Sequence, residues 1–144
     1  MGIVTVDDII ISPLKKIEVQ GGDVLHGIKV SDAGYNGFGE AYFSWVIQDH
    51  VKAWKLHTRM TLNIVVPVGE IQFTFTSPDA PGLFRTEVIG IANYVRLTVP
   101  PGLWFGFKGV TAGYSLLLNI ASIEHEPDET LKKGITDFDF NWKN

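Results

Sequence analysis

The chain has no cysteine, which excludes disulfides and thiolate catalysis and fits a reducing compartment. It has no apolar run of membrane length, and Met1 to Asp8 carry neither a basic region nor an apolar signal core. Charge is sparse: 19% of the 144 residues are charged, the net charge is −4, and no basic stripe marks a nucleic-acid surface. No long segment repeats its apolar residues with a helical period. The glycine-rich run from Asp32 to Gly39 lacks the spacing of a dinucleotide or phosphate loop, and no amphipathic helix follows it to cradle a phosphate. What these absences leave is a soluble, cytoplasmic protein with no membrane or nucleic-acid partner. It is expected to form one domain over residues 1–144, since that length supports a sizeable core and a 45% hydrophobic content is that of a folded chain.

What is present is strand after strand. Turn chemistry recurs about every ten residues, as in a β-sandwich or barrel. Ile9–Ile11 ends at a proline turn. Glu40–Ile47 and Val51–His57 flank the turn Gln48-Asp49-His50, and Thr61–Val66 and Glu70–Thr76 flank Pro67-Val68-Gly69. Ser77–Gly82 reads as a surface loop. Phe84–Ile89, Tyr94–Val99 and the near-continuous apolar run Ser115–Ala121 read as further strands, with a tight turn at Pro100-Pro101-Gly102. In the more polar tail, Glu129–Lys133 is expected to make one helical turn. Phe138, Phe140 and Trp142 alternate with polar residues, as in a last strand or an arm docked on the body. The fold class is all-β.

The stretch Trp54 to Glu70 carries the densest polar chemistry. Strand alternation puts Lys55 and His57 on one face, and Thr61 and Asn63 together on a face of the next strand. Polar side chains facing a sheet interior point to a lined cavity rather than to packing alone.

The order of these pieces resembles a cupin-type jelly roll, a double-stranded β-helix. Cupins commonly hold a metal with a His-x-His pair and a later histidine. Here Lys55 and Phe105 stand at two of those places, a poor ligand and a non-ligand, so no metal and no cofactor is expected. More narrowly, Gly37-Phe38-Gly39-Glu40, Trp54-Lys55-Leu56-His57, Val68-Gly69-Glu70-Ile71, the run Leu97 to Phe107 and the closing Phe140-Asn141-Trp142 resemble the metal-free dTDP-4-dehydrorhamnose 3,5-epimerases and their short relatives found with sugar-nucleotide and polysaccharide genes. The resemblance implies a nucleotide-sugar ligand, a homodimer with an exchanged N-terminal or edge strand, and proton transfer at carbons flanking a C4 ketone. His57 matches the base histidine, with an imidazole suited to work near neutrality. Phe38 and Glu40 match the positions that hold the thymine base. The chain departs from the pattern elsewhere. Tyr35 and Asn36 stand where the family has an arginine, Thr61 and Asn63 where it has a lysine, Phe105 at a second histidine, and Glu124 and His125 near its tyrosine acid.

The expected site therefore has His57 as base, with Lys55 and Asn63 as partners for a developing oxyanion. Arg59, Trp104, Tyr114 and His125 join Phe38 and Glu40 in binding substrate. Arg59 and Arg85 are candidate diphosphate contacts, Tyr42, Tyr94 and Tyr114 alternative acids, and Asp137 or Asp139 a carboxylate to orient His57. Three functions remain open: an epimerase of a nucleotide-linked 4-keto-6-deoxy sugar, a 4-keto to 3-keto isomerase of such a sugar, and an accessory module that binds the sugar nucleotide without turning it over.

Overall fold

The computed structural model describes residues 2–143. In chain order the strands are β1 (Ile10–Pro13), β2 (Lys16–Ile17), β3 (Val24–Leu25), β4 (Glu40–Ile47), β5 (Val51–His57), β6 (Leu62–Val68), β7 (Glu70–Ser77), β8 (Ala80–Gly90), β9 (Val95–Val99), β10 (Trp104–Gly109), β11 (Tyr114–Ala121) and β12 (Thr130–Lys132). Among the described residues the only helical pieces are 3-10 turns. Two antiparallel five-stranded sheets face each other, ordered β1-β9-β6-β11-β4 and β12-β5-β10-β7-β8, and β2 and β3 form a separate small hairpin. This is the jelly roll of the cupin type.

Alternation decides what each sheet buries. Inward-facing Val46, Leu62, Ile64, Val66, Ile71, Phe73, Phe75, Leu97, Val99 and Leu117 form the shared core between the sheets, as period-two patterning requires. The outer faces are treated differently. That of β5 and β10 carries Trp54, Leu56 and Trp104, and the C-terminal arm brings Phe138, Phe140 and Trp142 over them. Trp54 is the centre of this cluster: its ring lies 5.1 Å edge-on from Phe138 and 5.3 Å from Trp142, and its Nε1–H donates to the Ile135 carbonyl at 3.2 Å. The tail is thus a docked arm.

Three expectations are corrected. Ala80–Gly82 is not loop but the start of β8, because Thr76 Oγ1 donates to the carbonyls of Ala80 and Leu83 and so continues the β7–β8 ladder to the hairpin tip. Glu129–Lys133 is not a helical turn. A 3-10 turn at Pro127–Glu129 leads into β12, whose Thr130 and Lys132 stand opposite His57 and Lys55. Trp104–Gly109, not read as a strand from sequence, is the central strand joining β5 and β7.

The loop Gly27–Gly34 is riveted to the outer face of the first sheet by Arg96. This side chain is 2% exposed, and its guanidinium donates to Asn63 Oδ1 at 3.1 Å and to the carbonyls of Gly27 and Ala33 at 2.9 and 3.0 Å. Gly34 is required here: its φ is +90°, and a Cβ would come within 2.4 Å of Thr98 Oγ1.

Truncating the centre of the aromatic cluster tests the role of the arm. Trp54→Ala should cost about 3–5 kcal/mol in urea unfolding and leave the tail residues after Gly134 open to limited proteolysis; a loss below about 1 kcal/mol would mean the arm docks without it.

Candidate active site

A cavity of about 390 Å³ opens between the two sheets. Its walls are Tyr42 and Ser44 from β4, Lys52, Lys55 and His57 from β5, Leu62 and Ile64 from β6, Phe105 and Phe107 from β10, and Leu117 and Asn119 from β11, with Lys132 and Lys133 from the β12 end. The sequence motif is therefore one wall of a real cleft, and Lys55 and His57 face it together.

His57 is 7% exposed and stacks on Phe105 with ring centroids 6.0 Å apart. Its Nδ1 lies 2.7 Å from Glu129 Oε1. The other oxygen of Glu129 accepts the backbone N–H groups of Arg59 at 3.0 Å and Met60 at 2.9 Å. Glu129 is fully buried. Burial alone would raise its pKa, but the bond from His57 and the two backbone donors outweigh it and hold the carboxyl down at about 2. An ionised carboxylate on Nδ1 fixes the proton there and leaves Nε2 as a free lone pair. Burial pulls the His57 pKa below its ordinary value, Glu129 acts against that, and the charges of Lys55 and His125 add to the lowering. The result is a neutral, oriented base at neutral pH.

Glu129 replaces Asp137 and Asp139 as the orienting carboxylate. Asp137 is exposed and caps Gly134 N–H instead. Sequence reasoning missed Glu129 because β12 pairs with β5 about seventy residues away, and nothing local announces that register.

Across the cleft, Asn119 Nδ2 donates to the Tyr42 hydroxyl at 3.0 Å. Asn119 is 3% exposed, yet its Oδ1 is buried with no hydrogen-bond partner. A buried orphan acceptor is costly unless a ligand or water completes it. Tyr42 and Asn119 thus form a polar pair on the sheet facing His57. The cleft pairs an oriented base on one sheet with a hydroxyl on the other, which suits proton transfer to and from a bound small molecule.

Other expected site residues fall elsewhere. Asn63 points to the opposite face of β6, where Gly34 carbonyl, Arg96 and Thr98 use up its amide. Leu62 and Ile64 are the β6 residues that face the cavity, so the alternation was right and the face was wrong. Trp104 belongs to the cluster under the C-terminal arm. Tyr114 is 61% exposed on the outer face, edge-on to Trp45 at 6.0 Å, and Tyr94 donates its hydroxyl to the His26 carbonyl. Arg59 pairs with Glu126 at 2.7 Å and Arg85 with Glu87 at 3.0 Å, both outside the cavity wall. Phe38 is 63% exposed and Glu40 accepts the His125 backbone N–H at 3.2 Å; none of the three lines the cavity.

The residues present do not fit a cupin metal. Lys55 and Phe105 occupy two of the ligand places, His57 Nδ1 and both Glu129 oxygens are already engaged, and among the described residues no group of three or more His, Cys, Asp or Glu is gathered. Also among the described residues, no helix is long and apolar enough to cross a membrane.

No protein-family model and no curated protein matches the chain. Among solved structures, a dTDP-sugar isomerase from Desulfovibrio desulfuricans superposes with a TM-score of 0.90 at 32% identity, over 99% of this chain and 96% of that one. The chain belongs to this dTDP-sugar isomerase family. Two more distant structures share its fold. The 3,4-ketoisomerase QdtA of Thermoanaerobacterium thermosaccharolyticum, in complex with TDP, has a TM-score of 0.75 at 16% identity over 89% of this chain and 90% of that one. The 3,5-epimerase RmlC of Legionella pneumophila, in complex with dTDP-4-keto-L-rhamnose, has a TM-score of 0.78 at 13% identity over 96% and 82%.

The dyad predicts an acid-sensitive fold. Both pKa values are lowered by folding, so the stability they contribute is complete above about pH 6.5 and is lost as pH falls through the folded values, to about 2 for Glu129. Urea midpoints should decline from pH 6.5 downward. Glu129→Gln should lower stability at pH 7 by on the order of 3 kcal/mol and flatten the decline below pH 4.5, leaving the smaller part due to Asp32, whose carboxyl is held down by the Lys29 backbone N–H. A variant as stable as the parent at pH 7 would contradict this.

Proposed function

We propose that the protein is a metal-independent epimerase or isomerase of a nucleotide-linked 4-keto-6-deoxy sugar, a dTDP sugar by family, with His57 as general base. The observation that carries the reading is the buried Glu129–His57 pair, which leaves one imidazole nitrogen unprotonated and aimed at a sugar-sized cleft. A pair of this kind does not recommend itself as a stability device, because burying it costs about as much as it returns. A module that only bound the sugar nucleotide would have no need of it.

The steps follow from the geometry. The ketone at C4 acidifies the adjacent C–H. His57 Nε2 takes that proton, the electron pair moves onto the carbonyl oxygen, and the Lys55 ammonium stabilises the oxyanion. Burial, and next the facing Lys132, depress the Lys55 pKa, which makes it a better proton donor to that oxygen. Return of a proton to the carbon from the opposite side needs a donor on the other sheet. Tyr42, hydrogen-bonded to Asn119, supplies it and is re-protonated from solvent, while His57 gives up to solvent the proton it took. Inversion results. If instead Lys55 protonates the C4 oxygen to give the 3,4-ene-diol, His57 delivers its proton to C4 and Lys55 takes back the proton of the C3 hydroxyl, the carbonyl migrates to C3; among the described residues His57 is the one imidazole on the cavity wall, and this second outcome stays in the test.

We further propose a homodimer acting in the cytoplasm in polysaccharide or deoxysugar biosynthesis. The outer face of the first sheet leaves Phe43, Trp45 and Ile47 of β4 and the facing Tyr114 of β11 exposed by 47–62%. The corresponding face of the other sheet is covered by the C-terminal arm. An uncovered apolar sheet face of this kind marks an association surface, and a second copy of the chain offers the same apolar chemistry in return.

In deuterium oxide, NMR of a dTDP-4-keto-6-deoxyglucose substrate should show exchange next to the ketone. His57→Asn should lower it by about a thousandfold or more. Tyr42→Phe should keep exchange but lose the inverted product; unchanged product formation in Tyr42→Phe, with the carbonyl found at C3, would make the enzyme a ketoisomerase. Exchange unaffected by His57→Asn would overturn the reading. Sedimentation should show a dimer that Trp45→Glu converts to monomer.

A further inference from the structure

The register places an unusual set of charges on one wall of the cleft. Phe105 and Phe107 of β10 both face the cavity, and their partners on β5 are Lys55 and Lys52. Those lysines are three positions apart, so simple alternation would turn them to opposite faces. The ladder shifts by one residue between Phe105 and Gly106, with Ala53 opposite Gly106. This bulge at Trp54 resets the phase and brings Lys52 to the cavity side. Lys132 of β12 stands directly opposite Lys55, and all of these side chains line the cavity.

Facing like charges destabilise a strand pair. The chain has 16 acidic residues against 12 lysines and arginines, yet among the described residues no Asp or Glu lines the cavity. The nearest carboxylate, Glu129, is committed to His57. The arginines are also spent: Arg59 on Glu126, Arg85 on Glu87, and Arg96 on its loop rivet. Lys52 Nζ donates to the Trp45 carbonyl at 3.2 Å and keeps its remaining protons. The cavity's positive charge is therefore lysine charge, unbalanced by protein, and the orphan amide oxygen of Asn119 shows that the same cavity is built to be completed by a ligand.

We infer that Lys52 and Lys132 clamp the diphosphate of the nucleotide sugar. This rests on the nucleotide-sugar reading above. Strand geometry supports the division of labour: at ~3.3 Å per residue, Lys55 is roughly 7 Å and Lys52 up to roughly 17 Å along β5 from His57. The sugar carbonyl lies at His57 and Lys55, and the diphosphate runs outward from there between Lys132, which stands beside Lys55, and Lys52. The arginine expected for this role, Arg59, takes no part.

Calorimetry on the full chain tests this with dTDP, inorganic pyrophosphate and thymidine as titrants. Lys52→Gln with Lys132→Gln should weaken dTDP and pyrophosphate about tenfold or more, leave thymidine unchanged, and flatten the salt dependence of dTDP binding. Arg59→Gln should bind dTDP as the parent does. Both lysines are exposed, so the melting temperature should hold, and Lys52→Arg with Lys132→Arg should restore binding. Undiminished dTDP binding by the glutamine variant, or a loss in Arg59→Gln instead, would overturn the inference while leaving the nucleotide-sugar reading intact. A parent protein that binds pyrophosphate through these lysines but not dTDP would keep the clamp and remove the nucleotide. Binding of neither would remove both.

Discussion

A buried carboxylate governs this molecule. Glu129 accepts hydrogen bonds from the His57 ring and from the backbone N–H groups of Arg59 and Met60, and its neighbour Thr130 begins the strand that closes the sheet beside β5. One ionised side chain thus pins the end of β5, the turn that follows it and the last strand of the second sheet. Desolvating a carboxylate is expensive, and only a full set of donors makes it tolerable. The same donors select the tautomer of His57. Fold closure and the orientation of the His57 ring are one event.

The bulge in β5 is the second constraint. A regular strand would turn only one of Lys52 and Lys55 to the cleft and the other to the outer face. Resetting the phase at Trp54 turns the tryptophan outward to the C-terminal arm and leaves Lys52 and Lys55 on the inner wall. Gly106 answers it from β10: a Cβ there would lie 2.4 Å from that of Ala53 and 3.1 Å from the Trp142 ring. The lysines inside the cleft and the docking of the tail outside it therefore depend on the same local irregularity.

Much of the fold was legible in the sequence because period-two alternation and turn residues are local signals. Glu40–Ile47 and Val51–His57 begin and end where the pattern places them, and Lys55 and His57 face one cavity together. Properties set by pairing between distant strands were not legible. Asn63 follows the same alternation as Lys55, but which side of β6 faces the core depends on its neighbours β9 and β11, and those neighbours bury Leu62 and Ile64 instead. Glu129 sat in a polar tail with helical appearance, and only its placement beside β5 gives it meaning. Trp104 shows the reverse: its motif suggested a substrate wall, while the arm made it part of a packed cluster. The facing of residues is legible where alternation within one strand sets it, as for Lys55 and His57, and not where register between strands sets it, as for Asn63 and Glu129.

The central claim is that Glu129 fixes His57 as a neutral base protonated on Nδ1. Nitrogen-15 NMR of the ring-labelled protein reads this directly. Across pH 6.5 to 8, His57 should show an Nδ1 proton strongly shifted by its carboxylate bond and an Nε2 resonance in the range of an unprotonated imidazole nitrogen, with the pattern lost in Glu129→Gln. A proton on Nε2, or an imidazolium persisting through that range, would contradict the account.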